Sequence, residues 1–435
     1  MDVMVKVDDR FVFMGLFTGA LIAGAGCGRI VGISDLSGDS GGGTDGRGDA
    51  GAGGATTGGG IGGGTGGGAT MAVYAWGANQ FGQIGDGSTV NRASPVEITV
   101  SPRAGVNVKA VSAGASHSLA LLTDGTVMAW GNNQFGQLGV DSGVTAIPVP
   151  TVVGGLVNVK AIAAGGYISM ALDIDGKVWV WGNNSYGELG DNSSDHEPHS
   201  KPTMAYIDDV DAVAAGQQHC LALKKDGTVW AWGSNSSGEL GDGTTTDSHI
   251  PIQATALSDI SIDEIVCGSS HSVALGKGVG VYAWGRNEVG QVGNGTEKNV
   301  LLPALVRGLE GAEVTHVAAG GFHGLALYSN GRVMSWGYNG SGQLGVVNVD
   351  ENRSLTAVEA QVPITVKVNA LAGGAYNSVA LAEDATVWTW GHGEFGALGN
   401  GEFKSSSVPI QIPDFRGVCS IDAHGGGHVL ALVAR

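Results

Sequence analysis

Basic residues are scarce: 22 Lys plus Arg stand against 40 Asp plus Glu, and no run of cations occurs anywhere in the chain. Binding that tracks a phosphate backbone needs clustered cations to release counterions, so nucleic acid is excluded as the expected partner. Cysteine is almost absent. Cys27, Cys220, Cys267 and Cys419 form no CxxC pair, which removes zinc-ligand spacing, and the last three are expected as buried small hydrophobes. No GxSxG elbow, HExxH helix or phosphate loop stands in a supporting context, and no catalytic, cofactor-binding or metal-ligating set is expected. The longest apolar run, residues 11–26, is too short to span a bilayer comfortably.

That run has the shape of a signal-peptide core, which assigns residues 1–26 to a signal peptide. It ends in Gly-Ala-Gly-Cys, which resembles a bacterial lipobox although Gly24 stands where that motif carries Leu. The expectation is that Cys27 is the lipidated first residue of the mature protein, in a bacterial envelope or secreted setting, with membrane contact only through that anchor. Residues 27–70 are dominated by Gly, with Ser, Thr, Ala and Asp. Such a segment has no apolar surface to offset its ordering entropy, so it reads as a disordered tether with a reach of about 35 Å.

Glycine is plentiful, at 78 residues, and beyond the tether it is periodic. Trp-Gly pairs fall at Trp76, Trp130, Trp181, Trp232, Trp284, Trp336 and Trp390, at intervals of 54, 51, 51, 52, 52 and 54 residues. A fixed period near 50 marks a repeat architecture. Around each Trp runs one frame, clearest in residues 110–139: Gly-x-x-His, an alternating strand, an Asp-Gly turn, a second alternating strand ending in Trp-Gly, then Asn-x-x-Gly-Gln-Leu-Gly. Alternation with period two on both sides of Asp-Gly is a strong hairpin signal. Gly278-Val279 and Asp384-Ala385 depart from it, and the second is less comfortable because the turn demands a positive φ.

In this register Arg435 takes the first turn position and Met71 the second. The ends of residues 71–435 therefore each supply part of one hairpin, and their pairing would close a ring and remove exposed sheet edges. The reading is an all-β, seven-bladed β-propeller over 71–435 with one split blade. Small-residue strands such as Ala110–Gly114 are expected at the crowded axis.

These repeated motifs resemble those of the regulator of chromosome condensation repeat family, across the whole head. The resemblance implies the propeller fold and fixes role far less. The family includes an exchange factor for the small GTPase Ran and secreted bacterial propellers, one of them a β-lactamase inhibitor. Repeat intervals of 51 to 54 residues leave no space for an exchange wedge in a single blade.

His117, His219, His271, His323 and His428 share one repeat position, with Ile168 and Asn377 in the other two blades. A residue recurring in five blades reads as a structural hydrogen-bonder, because catalysis needs a unique constellation. Asp195, His196, Glu197 and His199 cluster out of register and read as a solvated loop. Five residues after each Trp come Phe81, Phe135, Tyr186, Ser237, Val289, Ser341 and Phe395, so that Phe395, Phe81, Phe135 and Tyr186 are consecutive around a closed ring. Tyr167, Phe322 and Tyr376 precede the His position on the same face. Aromatic clusters rimmed by polar loops serve as interface anchors. The expected function is a non-enzymatic, monomeric, surface-tethered propeller that binds an extracytoplasmic protein in the manner of an inhibitor. A structural or adhesive envelope role is the alternative, with nucleotide exchange or a carbohydrate-active role behind it.

Overall fold

A computed structural model describes residues 70–100, 103–141, 143–276, 278–310, 313–347, 352–363 and 365–435. The expected signal peptide, Cys27 and the glycine-rich segment up to residue 69 lie outside the described residues. From Met71 onward, 28 strands form seven antiparallel sheets of four among the described residues. Each sheet is one blade of a propeller, named here by its Trp.

The split blade forms as the register requires. Met71–Gly77 pairs with His428–Ala434 from Met71 opposite Ala434 to Gly77 opposite His428, and Arg435 N donates to Thr70 O at 2.9 Å. Arg92–Ile98 and Val418–Asp422 complete that sheet as its outer and inner strands. The inner strands, among them Val108–Ala113, Val159–Ala164 and Val210–Ala215, contact one another from blade to blade around the axis, where small side chains permit the approach.

The core lies between blades rather than within them. Seven apolar clusters each contain one Trp of the repeat, fully buried against residues of the preceding blade. Trp130, for example, packs with Ile84, Leu430 and Leu432 of the closing blade. The Nε1 of each of these seven Trp also donates to a preceding-blade carbonyl. The acceptors are Ala397 for Trp76, Gln83 for Trp130, Gln137 for Trp181, Glu188 for Trp232, Glu239 for Trp284, Gln291 for Trp336 and Gln343 for Trp390, at 2.8 to 3.0 Å. The Gly that follows has a physical reason: Gly131 sits at φ 103, and a Cβ there would lie 2.7 Å from Ser116 O.

Outer strands are sheet edges, which invite pairing with another chain. Pro95, Pro150, Pro202, Pro251, Pro303 and Pro409 occupy equivalent positions on six of them, so no N–H is offered there. The seventh has Ala357, whose N–H donates to Arg307 O at 2.8 Å. The donor is absent in six blades and used in the other.

Candidate binding face

Two sets of loops share one face of the ring. The loop after each inner strand and the loop after each Trp strand are stitched together: Asn132 N donates to Ser116 O at 2.9 Å, Asn183 N to Tyr167 O at 3.0 Å and His392 N to Tyr376 O at 2.9 Å. Hairpin turns lie on the other face, where Thr123 N donates to Asn107 O of the inter-blade connection at 2.9 Å.

Six of the seven Trp loops are braced by an Asn three residues after the Trp, and the loop after Trp390 has Gly393 there instead. Asn79 Oδ1 accepts from Ile84 N at 2.9 Å, and Gln83 Oε1 accepts from Phe81 N at 3.0 Å, which pins the residue five past the Trp. Gln137, Gln291 and Gln343 do the same for Phe135, Val289 and Ser341. In two adjacent blades Glu replaces Gln. Glu188 accepts from Tyr186 N at 2.8 Å and Asn183 Nδ2 at 2.6 Å, and Glu239 accepts from Ser237 N at 2.8 Å. Burial raises the pKa of both carboxyls above the ordinary carboxylate range, against the pull of those donors.

The repeated histidines are held inside the ring. His117 Nε2 lies 2.8 Å from Ser169 Oγ, His428 2.8 Å from Ser118, His219 3.0 Å from Ser272 and His323 2.8 Å from Ser378, in each case across a blade seam. The Ser hydroxyl donates onward to the carbonyl that also receives a Trp Nε1: Ser118 and Trp130 both donate to Gln83 O. This sets Nε2–H as the donor to the hydroxyl oxygen. Burial depresses the five imidazoles to about 3, so they are neutral. Where the His is Ile168 or Asn377, the next blade has Cys220 or Val429 instead of Ser, a paired exchange visible in the sequence. His271 precedes a blade with Gly324, and its Nε2 has no partner among the described residues.

Cys220 and Cys267 are buried and their thiols are pushed well up by desolvation, while Cys419 is only partly buried. In the out-of-register loop, His199 Nε2 pairs with Asp195 at 2.9 Å and His196 Nδ1 with Ser185 Oγ at 3.0 Å.

All seven singled-out aromatics reach the loop face. Tyr186, Tyr376 and Phe395 are 37 to 39% exposed, and Phe81, Phe135, Tyr167 and Phe322 are half-buried. Their contacts do not follow the consecutive arc. Phe135 meets Tyr167 of the next blade, with ring centroids 5.0 Å apart, whereas Phe81 and Tyr186 make no ring contact among the described residues. The longest ladder is Phe322, Tyr376, His392, Phe395. Phe322 stacks on Tyr376 at 5.4 Å, Tyr376 meets His392 at 6.3 Å, and His392 meets Phe395 at 5.5 Å. Tyr338 packs edge-on to Tyr376 at 6.0 Å. Tyr338 and His392 both lie two residues after the Trp, where the other blades have Ala, Asn, Ser or Arg. That contrast was available in the sequence.

One more residue escaped the repeat reading. Between Ala423 and His428 the closing blade carries one residue more than its counterparts. There His424 Nε2 donates across the axis to Ala215 O at 2.5 Å, while the Asp422 carboxylate accepts from Ala113 N at 3.2 Å. The axis is thereby barred on the loop face.

Comparison with known proteins follows this geometry. The family profile described as the RCC1-like domain matches residues 68–307 and 198–435. The chain belongs to the RCC1-like domain family. This RCC1-like propeller is 30% identical over 362 residues to the ultraviolet-B receptor UVR8 of Arabidopsis thaliana, covering 82% of this chain and 80% of that one. It is 32% identical over 319 residues to the human E3 ubiquitin-protein ligase HERC2, covering 71% of this chain but only 6% of that much longer protein. Among solved structures, human WBSCR16 aligns with a TM-score of 0.75 at 21% identity, covering 84% of this chain and 99% of that one. Yeast RCC1 (Prp20), solved with Kap60, aligns with a TM-score of 0.74 at 23% identity, covering 84% and 89%. These two likenesses concern the fold.

Proposed function

We propose that this RCC1-like propeller is a non-enzymatic protein-binding module that takes its partner on the loop face, and that a lipidated Cys27 carries it at a membrane surface through the glycine-rich segment. The ladder from Phe322 to Phe395 supports the first half: large rings, part exposed, stand on loops tied by backbone bonds, Tyr338 N to Phe322 O and His392 N to Tyr376 O, with Gly393 N bound by Ser405 Oγ. Rigid aromatics in a polar rim lose little conformational entropy when covered, which suits them as anchors. The buried, neutral, seam-bonded histidines fit a scaffold role.

The test is capture of envelope and extracellular proteins by the full chain, beside Tyr376→Ala/Phe395→Ala and Phe81→Ala/Phe135→Ala variants of equal melting temperature. A protein retained by the wild type and lost by either variant supports the reading. Retention that ignores both variants favours the structural or adhesive role. Cys27→Ser should abolish lipid labelling and detergent-phase partitioning of the expressed chain. Unchanged partitioning sinks the anchor.

A further inference from the structure

One return segment on the loop face breaks the repeat. Pro202 follows Asp191 by 11 residues, whereas Pro95 follows Asp86, Pro251 follows Asp242, Pro303 follows Asn294 and Pro409 follows Asn400 by 9. The added length forms an arch from Asp195 to Pro198, exposed throughout. Both of its ends are tied. Asp195 N donates to Asn184 O at 3.1 Å and His196 Nδ1 lies 3.0 Å from Ser185 Oγ, next to Tyr186, while His199 N donates to Phe135 O at 3.1 Å. The arch therefore reaches from the Tyr186 loop to the Phe135 loop, where Phe135 meets Tyr167. The Tyr186 loop also abuts the return segment of the next blade: Asn192 N donates to His249 O at 2.9 Å, and a Cβ on Gly187 would lie 2.5 Å from His249 Cα, two residues past Asp247.

Charge on these two loops has one sign. Residues 183–198 and 234–247 carry Asp191, Asp195, Glu197, Asp242 and Asp247 outside the core, the buried Glu188 and Glu239, and no Lys or Arg. Elsewhere on the face the chain supplies its own cations. Arg92 Nε donates to Asp86 at 2.7 Å, Arg286 Nε to Glu288 at 2.9 Å, and Arg353 Nε pairs with Glu297 at 2.6 Å. Among the described residues the only ion pair that the two loops make is Asp195 with His199, at 2.9 Å. Asp247 accepts from Asn235 N at 2.7 Å and Asp191 from Ser193 N at 3.0 Å, bonds that fix the carboxylates in place and leave their charge uncompensated. Tyr186, 37% exposed, is the ring that the arch and the Asp247 segment flank.

We propose that this sector of the loop face docks an arginine-bearing extended segment of the partner, with one guanidinium stacked on Tyr186 and others paired to Asp195 and Glu197 of the arch and to Asp247. Charge complementarity selects the occupant, because these loops offer carboxylates beside rings and the cations must come from outside. Arginine suits the sector better than lysine, since its planar guanidinium both stacks on a ring and bonds a carboxylate through paired N–H groups. The proposal gives the chemistry of the partner and rests on the protein-binding reading, but it uses rings outside the ladder from Phe322 to Phe395.

The probe is an acetylated, amidated peptide Gly-Arg-Gly-Arg-Gly-Arg-Gly, whose arginines line one side of an extended chain. It is titrated into the full chain by calorimetry at about 20 mM and about 150 mM salt, with weaker binding expected at the higher. The triple variant Asp195→Asn/Glu197→Gln/Asp247→Asn keeps an acceptor oxygen at each position and removes three charges, and it should weaken binding about tenfold, as the loss of three modest ion pairs does. Tyr186→Ala should weaken it about threefold. A control, Asp175→Asn/Asp208→Asn/Asp259→Asn, removes three exposed charges from the opposite face and should bind as the wild type does. The lysine version of the peptide should bind more weakly than the arginine one. Absence of binding, an equal loss in the control, or equal affinity for both peptides overturns the proposal. If the triple variant melts below the wild type, Glu197→Gln alone decides, because that side chain has no partner among the described residues, and unchanged affinity there overturns the proposal too. Capture through the ladder is read with Tyr376→Ala/Phe395→Ala, so a peptide that fails to bind while that capture persists removes this proposal and leaves the protein-binding reading standing.

Discussion

Trp76 Nε1 donates to the carbonyl of Ala397 at 3.0 Å, joining residues 321 positions apart. It is one of seven equivalent latches, and it crosses from the last blade built by continuous chain to the blade built from both ends. Both partners are buried. Trp76→Phe keeps most of the apolar packing and leaves the Ala397 oxygen without its donor, so it should cost about 1 to 3 kcal/mol. Urea denaturation measures this, and a loss no greater than a few tenths of a kcal/mol would show that the latch is incidental to closure.

The seam histidines make stability depend on pH in a stated direction. His117, His219, His271, His323 and His428 are held neutral with values near 3, against an ordinary value of 6.5. The unfolded chain takes up protons first, so the stability is present in full above pH 6.5 and falls progressively as pH drops from there toward 3. Glu188 and Glu239, with raised values, act in the opposite sense and lose stability as pH rises through their folded values. The five imidazoles alone should cost on the order of 5 kcal/mol between pH 7.5 and 5.5, which urea denaturation at each pH measures. His323→Asn, a side chain already present at Asn377, should flatten that slope.

Ala385 occupies the left-handed region at φ 62, where the matching turns place Gly125, Gly176, Gly227 and Gly331. A Cβ in that region costs about 1 kcal/mol. Ala385→Gly should therefore stabilise the head by roughly that amount less the added freedom of the unfolded chain, a net gain of about 0.5 kcal/mol in denaturant melts. A destabilised variant would mean that the alanine methyl contributes packing which its position in the turn does not suggest.

Deleting residues 431–435 removes the pairing of Met71 to Tyr74 and the buried Leu432. Loss of one buried Leu alone costs about 2 to 5 kcal/mol, so the ring should lose at least about 4 kcal/mol and much of its cooperativity. A normal calorimetric transition would show that the other six blades hold without closure.

Much of the fold was legible because a repeat samples one set of constraints seven times. Trp-Gly marks a buried ring followed by a positive φ, Asp-Gly marks the hairpin, and the offset between Arg435 and Met71 gives the split blade. What connects blades was harder to read. Phe135 meets Tyr167 through different repeat positions in neighbouring units, so alignment by column hides that contact, whereas Phe322 and Tyr376 share one column and Tyr376 meets His392 within one blade. His424 was hidden by a one-residue insertion. The pairing of His with a Ser one blade onward could have been found by comparing adjacent columns across successive repeats.

The closing blade also determines how the ring carries load. Thr70 and Arg435 meet on the turn face, and the rings lie on the opposite one. A head held from upstream of Thr70 and pulled by a captured partner feels tension along the length of Met71–Gly77, which runs between His428–Ala434 and Arg92–Ile98. The two ladders are then strained in shear, with many hydrogen bonds sharing the force, instead of opening one pair at a time. The strand that follows Thr70 is thus the one placed to bear such tension.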